Sequence, residues 1–272
     1  MKIGFVSFII PYYNDGATIQ ETVDSIFNQS YLHFDVWIVN DGSTDSLSIE
    51  KLKDFEGNNR IHILHQENAG PSVARNKAIN QTDAEFIVPI DADDVMEPRI
   101  LEEAILHMKE NPKVGVVYGD LQYFGATHET RVQETFSLER QWLMNQVAVT
   151  ALIRKAVFAE CGAYDVHLSL LGLEDWEFYI RVGLSAWEFK KIPHLFFKAR
   201  SHANSRTYQV ANAHAASIKE YVFQKHQETF VKSYHALFYQ KKQLLETPDY
   251  RIGNFLLRPY RWVKKKLGRK LF

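Results

Sequence analysis

Two aspartates separated by one residue follow an apolar run in the first hundred residues. The run covers residues 86–90, and Asp91-Ala92-Asp93 comes directly after it. In an extended backbone, residues two apart point to the same side, so the two carboxylates are expected to converge. Two carboxylates held that close repel each other unless a cation lies between them, and their oxygens suit Mg2+ or Mn2+. The spacing favours a divalent-metal site for diphosphate oxygens, and the alternative is a solvated acidic turn.

Two residues near the ends of the first two apolar runs are suited to holding a base. Asp41 is a pure hydrogen-bond acceptor and could accept the imide N–H of a uracil or thymine ring. The alternative is a turn residue, with Ser43, Thr44 or Asp45 capping the next helix. Tyr12 offers either a flat face for a base or a core side chain. Both alternatives stay open.

Three other positions carry side chains that could do chemistry. Asp175 follows Glu174 at the start of a helical pattern, where the helix dipole favours anions, so it is a candidate general base or a simple first-turn residue. Arg75 could meet a phosphate, buttress the Asp91 turn or lie on the surface. His202 could be a metal ligand, contact an acceptor or serve the structure alone.

Apolar β-branched runs alternate with helical patterns through the first 120 residues. The runs predict strands over residues 5–12, 36–40, 61–65, 86–90 and 114–118. This alternation predicts an α/β fold with a mostly parallel sheet, helices on both faces and right-handed crossovers. Ligands in such sheets bind at the carboxyl ends of the strands, which brings Asp41 and Asp91 to one edge. No glycine-rich phosphate loop is present, which argues against the nucleotide-binding modes that need one.

Helical spacing predicts the remaining elements. One helix is expected to begin with Pro98 in its first turn and run to about Lys109. Between residues 121 and 206 the alternation is lost, with short helices predicted over 157–162 and 174–182. Residues 208–246 are strongly helical in pattern and are expected to form one or two helices.

The composition limits the class of protein. The chain has 272 residues, 46% of them apolar, with 32 Lys and Arg against 33 Asp and Glu, which excludes disorder, collagen and a disulfide scaffold. The net charge of -1 hides two unlike parts, because residues 251–272 hold eight Lys and Arg and no acid. The acidic remainder argues against general nucleic-acid binding.

The compartment is predicted from what the chain lacks. Cys161 is the single cysteine, so no internal disulfide can form and a reducing compartment is expected. No uninterrupted apolar run approaches the roughly 18 residues needed to span a bilayer. The first twelve residues are interpreted as a strand rather than a signal peptide. We therefore expect a cytoplasmic protein.

Six segments in the same order and spacing resemble the family 2 glycosyltransferases, whose catalytic domain has the GT-A fold. The matching segments are FIIPYYN at 8–14, SIFNQS at 25–30, VNDGSTD at 39–45, AGPSVARN at 69–76, IDADD at 90–94 and EDWEF at 174–178. The resemblance covers about residues 5 to 205. It implies a catalytic domain over 1–206 and a C-terminal helical extension over 207–272.

The resemblance also implies a role for individual residues. Those expected beside the nucleotide sugar are Pro11, Tyr12, Asp41, Arg75, Asp91 and Ala92. Asp93 is expected to bind a divalent metal, Mn2+ or Mg2+, with His202 as a further metal ligand. Asp175 is expected to be the catalytic base.

The activity that the resemblance implies is inverting transfer of one sugar from a nucleotide sugar to a hydroxyl of a glycan or lipid-linked acceptor. UDP is the expected donor nucleotide, with dTDP or GDP as alternatives, and the expected setting is bacterial surface-polysaccharide synthesis such as lipopolysaccharide or capsule. The Gln-x-x-Arg-Trp motif of processive members is missing, since Arg261-Trp262 lacks the glutamine. A non-catalytic sugar-nucleotide or glycan-binding module and a nucleotidyltransferase are the competing interpretations.

The basic tail predicts a location. Tyr260, Val263, Leu267 and Leu271 are three or four residues apart, on one face of a helix whose other faces are basic. Such a helix over 251–272 is expected to lie on an anionic membrane surface, which would place the protein peripherally on the inner face of the membrane. A disordered solubilising end or an oligomer contact is the alternative.

Overall fold

The computed structural model describes residues 1–168, 172–201 and 214–246. His202, the predicted domain boundary at 206/207 and the basic tail at 251–272 lie outside the described residues. The chain divides into two compact units, Met1–Glu220 and Tyr221–Phe272. Among the described helices, none combines the length and the apolar character needed to cross a bilayer.

The strands of the described residues form one sheet in the order β3-β2-β1-β4-β8-β6-β9-β5, with β7 paired to β6. Their bounds are β1 Lys2–Tyr12, β2 Phe34–Asp41, β3 Ile61–Gln66, β4 Ala84–Pro89, β5 Val95–Met96, β6 Val114–Gly125, β7 Thr130–Arg131, β8 Leu152–Arg154 and β9 Glu188–Ser201. The strands β3, β2, β1 and β4 run parallel to one another. The predicted mostly parallel sheet is confirmed.

Helices connect and cover these strands. Their bounds are α1 Ile19–Phe27, α2 Ser46–Lys53, α3 Pro71–Gln81, α4 Ile100–Glu110, α5 Leu138–Gln141, α6 Lys155–Cys161, α7 Glu174–Gly183, α8 Ala215–Lys225 and α9 Gln227–Glu246. The helical pattern predicted over 208–246 is confirmed as two helices within its described part. Residues 202–213 lie outside the described ranges.

The period-two pattern of β1 divides the apolar core into two clusters, one on each face of the sheet. Phe8 and Ile10 pack in a cluster with α1 and α4, whereas Ile9 packs in a second cluster with α3, α6 and α7. Alternate side chains of a strand point to opposite faces, so a central strand that is apolar throughout must be covered on both. The consequence for function is that α3 and α7 share one face of the sheet.

The region in which the sequence pattern became mixed contains the sheet's less regular half. The strand β8 is antiparallel to both β4 and β6, and β9 runs parallel to β6 along most of its length. Pairing with β9 extends β6 to Gly125, well beyond the predicted end at Tyr118. The strands β8 and β9 were missed, because a three-residue strand and a strand of mixed polarity have no clear period.

The prediction that Pro98 lies in the first turn of a helix is wrong. The helix α4 begins at Ile100, and Arg99 before it has a left-handed backbone with φ 68°. The preceding residues pair instead with β9, since Val95 and Met96 form β5 and the N–H of Glu97 donates to the carbonyl of Phe196. This tertiary pairing overrides the local helix-start signal.

The turn after β2 needs a glycine at position 42. Gly42 has φ +74°, and a Cβ added there would lie 2.8 Å from the backbone nitrogen of Asn68. The left-handed region is costly for any other residue, and the close approach of a second backbone adds to that cost. Gly57 also has a left-handed backbone, with φ +82°, but no atom lies within 4 Å of a Cβ built there.

We therefore expect Gly42→Ala to lower the free energy of unfolding by about 2 kcal/mol or more and Gly57→Ala by only about 1 kcal/mol. Urea unfolding followed by tryptophan fluorescence measures both. The two variants share the backbone strain, and their difference isolates the contact with Asn68. Equal losses would show that the turn yields to the added methyl group.

Candidate active site

The loops after the first two strands meet at the carboxyl edge of the sheet. Tyr12 at the end of β1 is in register with Asn40 near the end of β2. The side-chain oxygen of Asn14 accepts hydrogen bonds from the backbone N–H groups of Thr44 at 2.8 Å and Asp45 at 3.2 Å. Asp45 caps α2 by accepting from the N–H of the third residue on, one of the capping alternatives predicted. The two loops therefore form one unit.

Tyr12 is a core side chain, one of the two alternatives predicted for it. Its side chain is buried in the cluster under α1, and its hydroxyl donates to the carbonyl of Ser48 at 2.8 Å. Burial raises the pKa of the Tyr12 hydroxyl above its ordinary value. The ring therefore offers no open face to a base, whereas the neighbouring Pro11 is partly exposed at the strand end.

The carboxylate of Asp41 holds the loop that leads from β3 into α3. Its Oδ1 accepts from Gln66 Nε2 at 2.8 Å and from the N–H of Ala69 at 2.9 Å, and its Oδ2 accepts from the N–H of Gly70 at 2.8 Å. Asp41 is 3% exposed. Three protein donors fix this buried carboxylate, so it positions the start of the helix that carries Arg75.

The aspartates after β4 lie in a tight turn. The premise that Asp91 and Asp93 converge on an extended backbone is wrong, because β4 ends at Pro89 and the N–H of Asp94 donates to the carbonyl of Asp91 at 3.2 Å. Asp91 keeps 44% of its side chain exposed, whereas Ala92 and Asp94 are buried. Burial, and next the charges of Asp91 and Asp93, raise the pKa of Asp94 well above its ordinary value. Negative charge is therefore crowded at this turn.

Arg200 of β9 supports the same turn. The backbone N–H of Arg200 donates to Asp94 Oδ1 at 3.0 Å, and its side-chain Nε donates to the backbone carbonyl of Asp93 at 3.1 Å. Its guanidinium also pairs with Glu21 of α1. The acidic turn is thus held by a cation that does not use the Asp91 carboxylate.

Arg75 joins the acidic turn to the start of α7. Its guanidinium donates through NH2 to Asp91 Oδ1 and through NH1 to Glu174 Oε1, both at 2.5 Å. Arg75 is 2% and Glu174 7% exposed. Burial opposes the charge of the guanidinium, but the two carboxylates outweigh it and hold the pKa of Arg75 above its usual value. Arg75 buttresses the Asp91 turn, one of the alternatives left open.

Asp175 presents a half-buried carboxylate in the first turn of α7. Its Oδ1 accepts from the N–H of Trp176 at 2.8 Å, and its Oδ2 accepts from Asn145 Nδ2 at 2.7 Å. Burial, followed by the charge of Glu174, raises the pKa of Asp175 to about 7, whereas the bonds from Asn145 and Trp176 act in the opposite direction. A carboxyl group that titrates near neutrality is suited to general acid–base chemistry.

A tyrosine that the sequence did not single out completes this cluster. Tyr164 is 2% exposed, and its ring lies 5.7 Å from the guanidinium carbon of Arg75. Its backbone exchanges two hydrogen bonds with the side chain of Asn76, at 2.8 and 3.0 Å. Burial raises the pKa of the Tyr164 hydroxyl well above its ordinary value, so it stays neutral beside Asp175. The ring of Tyr164 therefore packs beside the buried guanidinium of Arg75.

The acidic turn fits a hard divalent cation by its donor chemistry. Asp91 and Asp93 supply carboxylate oxygens at a partly exposed turn where like charges are crowded, and such oxygens are the ligands that Mg2+ and Mn2+ take. Among the described residues, no three His, Cys, Asp or Glu side chains are grouped closely enough to enclose an ion. A cation here would keep open positions for oxygens of a ligand.

The structure brings Arg75, Asp91 and Asp175 together, and it places Asp41 one loop away. His202 lies outside the described residues, and its predicted metal role stays a prediction. Sequence reasoning missed that Asn145 contacts Asp175, because nothing in the mixed region around it marks an asparagine as a partner of a distant helix. The contact of Arg75 with Glu174 is weakly signalled by the sequence, since both residues belong to segments that carry the family resemblance.

Comparison with known proteins places this geometry in a family. Residues 7–165 match the family model described as glycosyl transferase family 2. A chondroitin synthase of Pasteurella multocida is 36% identical over 118 residues, which cover 43% of this chain and 12% of the synthase. The matched stretches span less than a third of the length of several such curated relatives.

Two solved structures show the same fold. TarS 1–349 of S. aureus, in complex with UDP-GlcNAc, has a TM-score of 0.64 at 20% identity, over 75% of this chain and 61% of TarS. A mannosyltransferase of Pyrobaculum calidifontis, in complex with GDP-Man and Mn2+, has a TM-score of 0.59 at 16% identity, over 92% of this chain and 83% of that one. The predicted GT-A fold is confirmed.

The buried ion pair of Arg75 yields a stability prediction. Arg75→Met is expected to lower the free energy of unfolding by about 3 kcal/mol, because it leaves the Glu174 carboxylate buried without its cation. Arg75→Met/Glu174→Gln should recover part of that loss, since no unpaired buried charge remains. Urea unfolding of both variants measures the difference.

The matched control is a pair at the surface. Lys51 and Asp54 form an exposed ion pair at 2.8 Å, and Lys51→Met should cost less than about 1 kcal/mol. If the single and double variants at Arg75 lost equal stability, the unpaired charge of Glu174 would not be the cause.

Proposed function

The chain belongs to glycosyl transferase family 2, and we propose that it is a glycosyltransferase, which transfers one sugar from a nucleotide sugar to an acceptor hydroxyl with inversion at the anomeric carbon. The observation that carries the proposal is the Asp175 carboxylate, whose pKa of about 7 lets it take up a proton under neutral conditions. It lies beside the Arg75 cluster that leads to the acidic turn after β4.

The proposed chemistry is a single displacement. Asp175 accepts the proton of the acceptor hydroxyl while that oxygen forms a bond to the anomeric carbon, and the bond to the leaving diphosphate oxygen breaks on the opposite face. The proton ends on the carboxyl group, and the electron pair of the broken bond goes to the nucleoside diphosphate. The hydrogen bonds from Asn145 and Trp176 fix the carboxylate and leave lone pairs on its oxygens for the proton.

The donor nucleotide is proposed to lie at the carboxyl edge of β1, β2 and β4. The proposed contacts are Pro11 near the end of β1, Asp41 at the end of β2, and Asp91 with the backbone of Ala92 after β4. Arg75 holds Asp91 in place and is therefore proposed to position the donor through that carboxylate. UDP is the proposed nucleotide, and the complexes of TarS with UDP-GlcNAc and of the mannosyltransferase with GDP-Man support the class of donor.

A divalent cation, Mn2+ or Mg2+, is proposed at the acidic turn. Asp93 would hold it, with His202 as a further ligand and Asp91 beside it. A bound cation there would neutralise charge on the diphosphate leaving group. The support is the carboxylate donor set of the turn and the Mn2+ in the complex of the similar mannosyltransferase.

The acceptor is proposed to be a glycan or a lipid-linked saccharide of a surface polysaccharide. The likeness to a chondroitin synthase supports polysaccharide synthesis as the setting. Residues 251–272 carry eight basic side chains and no acid, and we propose that they hold the enzyme at the inner face of an anionic membrane.

The role of Asp175 is tested by removing its charge. Asp175→Asn is expected to lower the rate of sugar transfer by a hundredfold or more, because an amide cannot accept the proton, while donor binding changes little. In the unmodified enzyme kcat/KM should fall as the pH drops below about 7, since the base becomes protonated. Transfer assays across pH and nucleotide titration calorimetry measure the two effects.

Asp54→Asn is the matched control, because Asp54 is an exposed aspartate that pairs with Lys51 at the surface. It should keep full activity at every pH. Transfer by Asp175→Asn at the unmodified rate would exclude Asp175 as the base.

The metal and the donor are tested together. We expect a panel of UDP, dTDP and GDP sugars to show turnover with a UDP sugar in the presence of Mn2+ or Mg2+, loss of turnover in EDTA and recovery on adding the cation back. Mn2+ titration followed by electron paramagnetic resonance should show one site that Asp93→Ala removes. Undiminished turnover in EDTA would contradict the metal proposal. Turnover with a GDP sugar alone would contradict UDP as the donor nucleotide.

A further inference from the structure

The segment between β7 and β8 reaches the Asp175 carboxylate through the side chain of Asn145. Asn145 lies four residues after the end of α5, and its Nδ2 donates to Asp175 Oδ2 at 2.7 Å. The other oxygen of Asp175 is held by the N–H of Trp176 within the same helix. Asn145 therefore supplies a hydrogen bond to this carboxylate from outside α7, and the two donors fix its plane from two sides.

The amide of Asn145 is held in a single orientation. Its own oxygen Oδ1 accepts from Gln141 Nε2 at 3.2 Å, so the NH2 group must face Asp175. Its backbone carbonyl accepts from Arg131 NH2 at 2.8 Å. Rotating the amide by half a turn would lose both side-chain bonds, because its oxygen would face the Asp175 carboxylate and its NH2 group would face the donor of Gln141.

Gln141 in turn ties this segment to α7 independently of Asp175. It is fully buried, donates to the carbonyl of Trp176 at 3.1 Å, and accepts at its backbone carbonyl from the indole N–H of the same tryptophan. Its Oε1 accepts from the N–H of Gln146 at 3.0 Å. These bonds hold residues 141–146 against the first turn of α7, so the distance between Asn145 and Asp175 is set by buried contacts.

We propose that Asn145 is a positioning residue for the glycosyl transfer, which holds the Asp175 carboxylate in the orientation and the ionised state in which it accepts the proton of the acceptor. This inference rests on the proposed role of Asp175 as the base. An amide donor suits the task because it stabilises a carboxylate by hydrogen bonding and does not itself titrate.

The other charged and titratable groups around Asp175 do not replace this donor. Glu174 repels the charge of Asp175 and is itself paired with Arg75 from α3. Tyr179 on α7 and Tyr164 before it in the chain both have a pKa raised by burial, so they stay neutral. Among the interactions that lower the pKa of Asp175, the hydrogen bond from Asn145 is the largest, ahead of the charge of Arg75. A hydrogen bond to an ionised carboxylate is stronger than one between neutral groups.

The test compares variants that remove or reverse the donor. Asn145→Leu removes it, and Asn145→Asp keeps the shape and the oxygen that faces Gln141 but sets a second carboxylate against Asp175. In both variants the acidic limb of kcat/KM is expected to move up by about one to two pH units, with the larger shift in Asn145→Asp. Transfer at pH 9 should recover most of the activity lost at pH 7, and the KM for the donor should change less than twofold.

Asn111→Leu is the matched control. Asn111 Nδ2 donates to the carboxylate of Glu188 at 2.9 Å, the same kind of bond at an exposed place on the fold. That variant should keep the pH profile of the unmodified enzyme. Circular dichroism and urea unfolding check that each variant is folded. If Asn145→Leu does not fold, the isosteric variant Asn145→Asp provides the test.

The outcomes separate this inference from the function on which it rests. An acidic limb that stays in place in Asn145→Asp, whatever the overall loss of activity, would overturn the inference that Asn145 keeps Asp175 ionised, while Asp175→Asn stayed inactive. Full activity of Asp175→Asn would instead overturn Asp175 as the base. Shifted limbs in both Asn145 variants, with an unshifted Asn111→Leu, support the proposal.

Discussion

The site depends on the buried guanidinium of Arg75. One planar group on α3 donates to Asp91 on the turn after β4 and to Glu174 at the start of α7, so the two halves of the site share one charged partner. Burying a charge is tolerated only when it is paired and hydrogen-bonded. The position of Arg75 is fixed by the carboxylate of Asp41, which holds the chain at Gly70, the residue before α3. The chain of contacts from β2 to α7 consists entirely of charged or backbone hydrogen bonds.

The same arrangement creates two unlike carboxylates in adjacent positions. The carboxylate of Glu174 accepts a hydrogen bond from Arg75, whereas the carboxylate of Asp175 accepts one from Asn145. The charge of Glu174 then raises the pKa of its neighbour, together with burial, and Arg75 counteracts only part of that rise. Two neighbouring acids in different environments take different roles, one as a structural anion and the other as a titrating group.

Sequence reasoning predicted the parts of the fold that follow a regular period. The five predicted strands and the acidic loops that follow them formed as expected, because alternating apolar runs and polar turns determine them locally. It failed where tertiary pairing decides, as in the late start of α4 after Arg99 and the strand β9. Asn145 was missed for the same reason, since its function depends on a contact across 30 positions to Asp175. Tyr12 could be assigned to the core only when its burial was known.

The raised pKa of Asp175 couples its proposed role as the base to the stability of the fold. An aspartate in the unfolded chain releases its proton near pH 4, whereas Asp175 in the folded chain keeps it until about pH 7. Between those values the unfolded state binds fewer protons, so this residue makes the folded state less stable as the pH rises, and above pH 7 the cost stays constant. The ionised form of Asp175, which the proposed mechanism requires, is therefore the form that the fold disfavours. Arg75 and Asn145 limit that cost, which explains why a buried cation and a fixed amide are built around a single carboxylate.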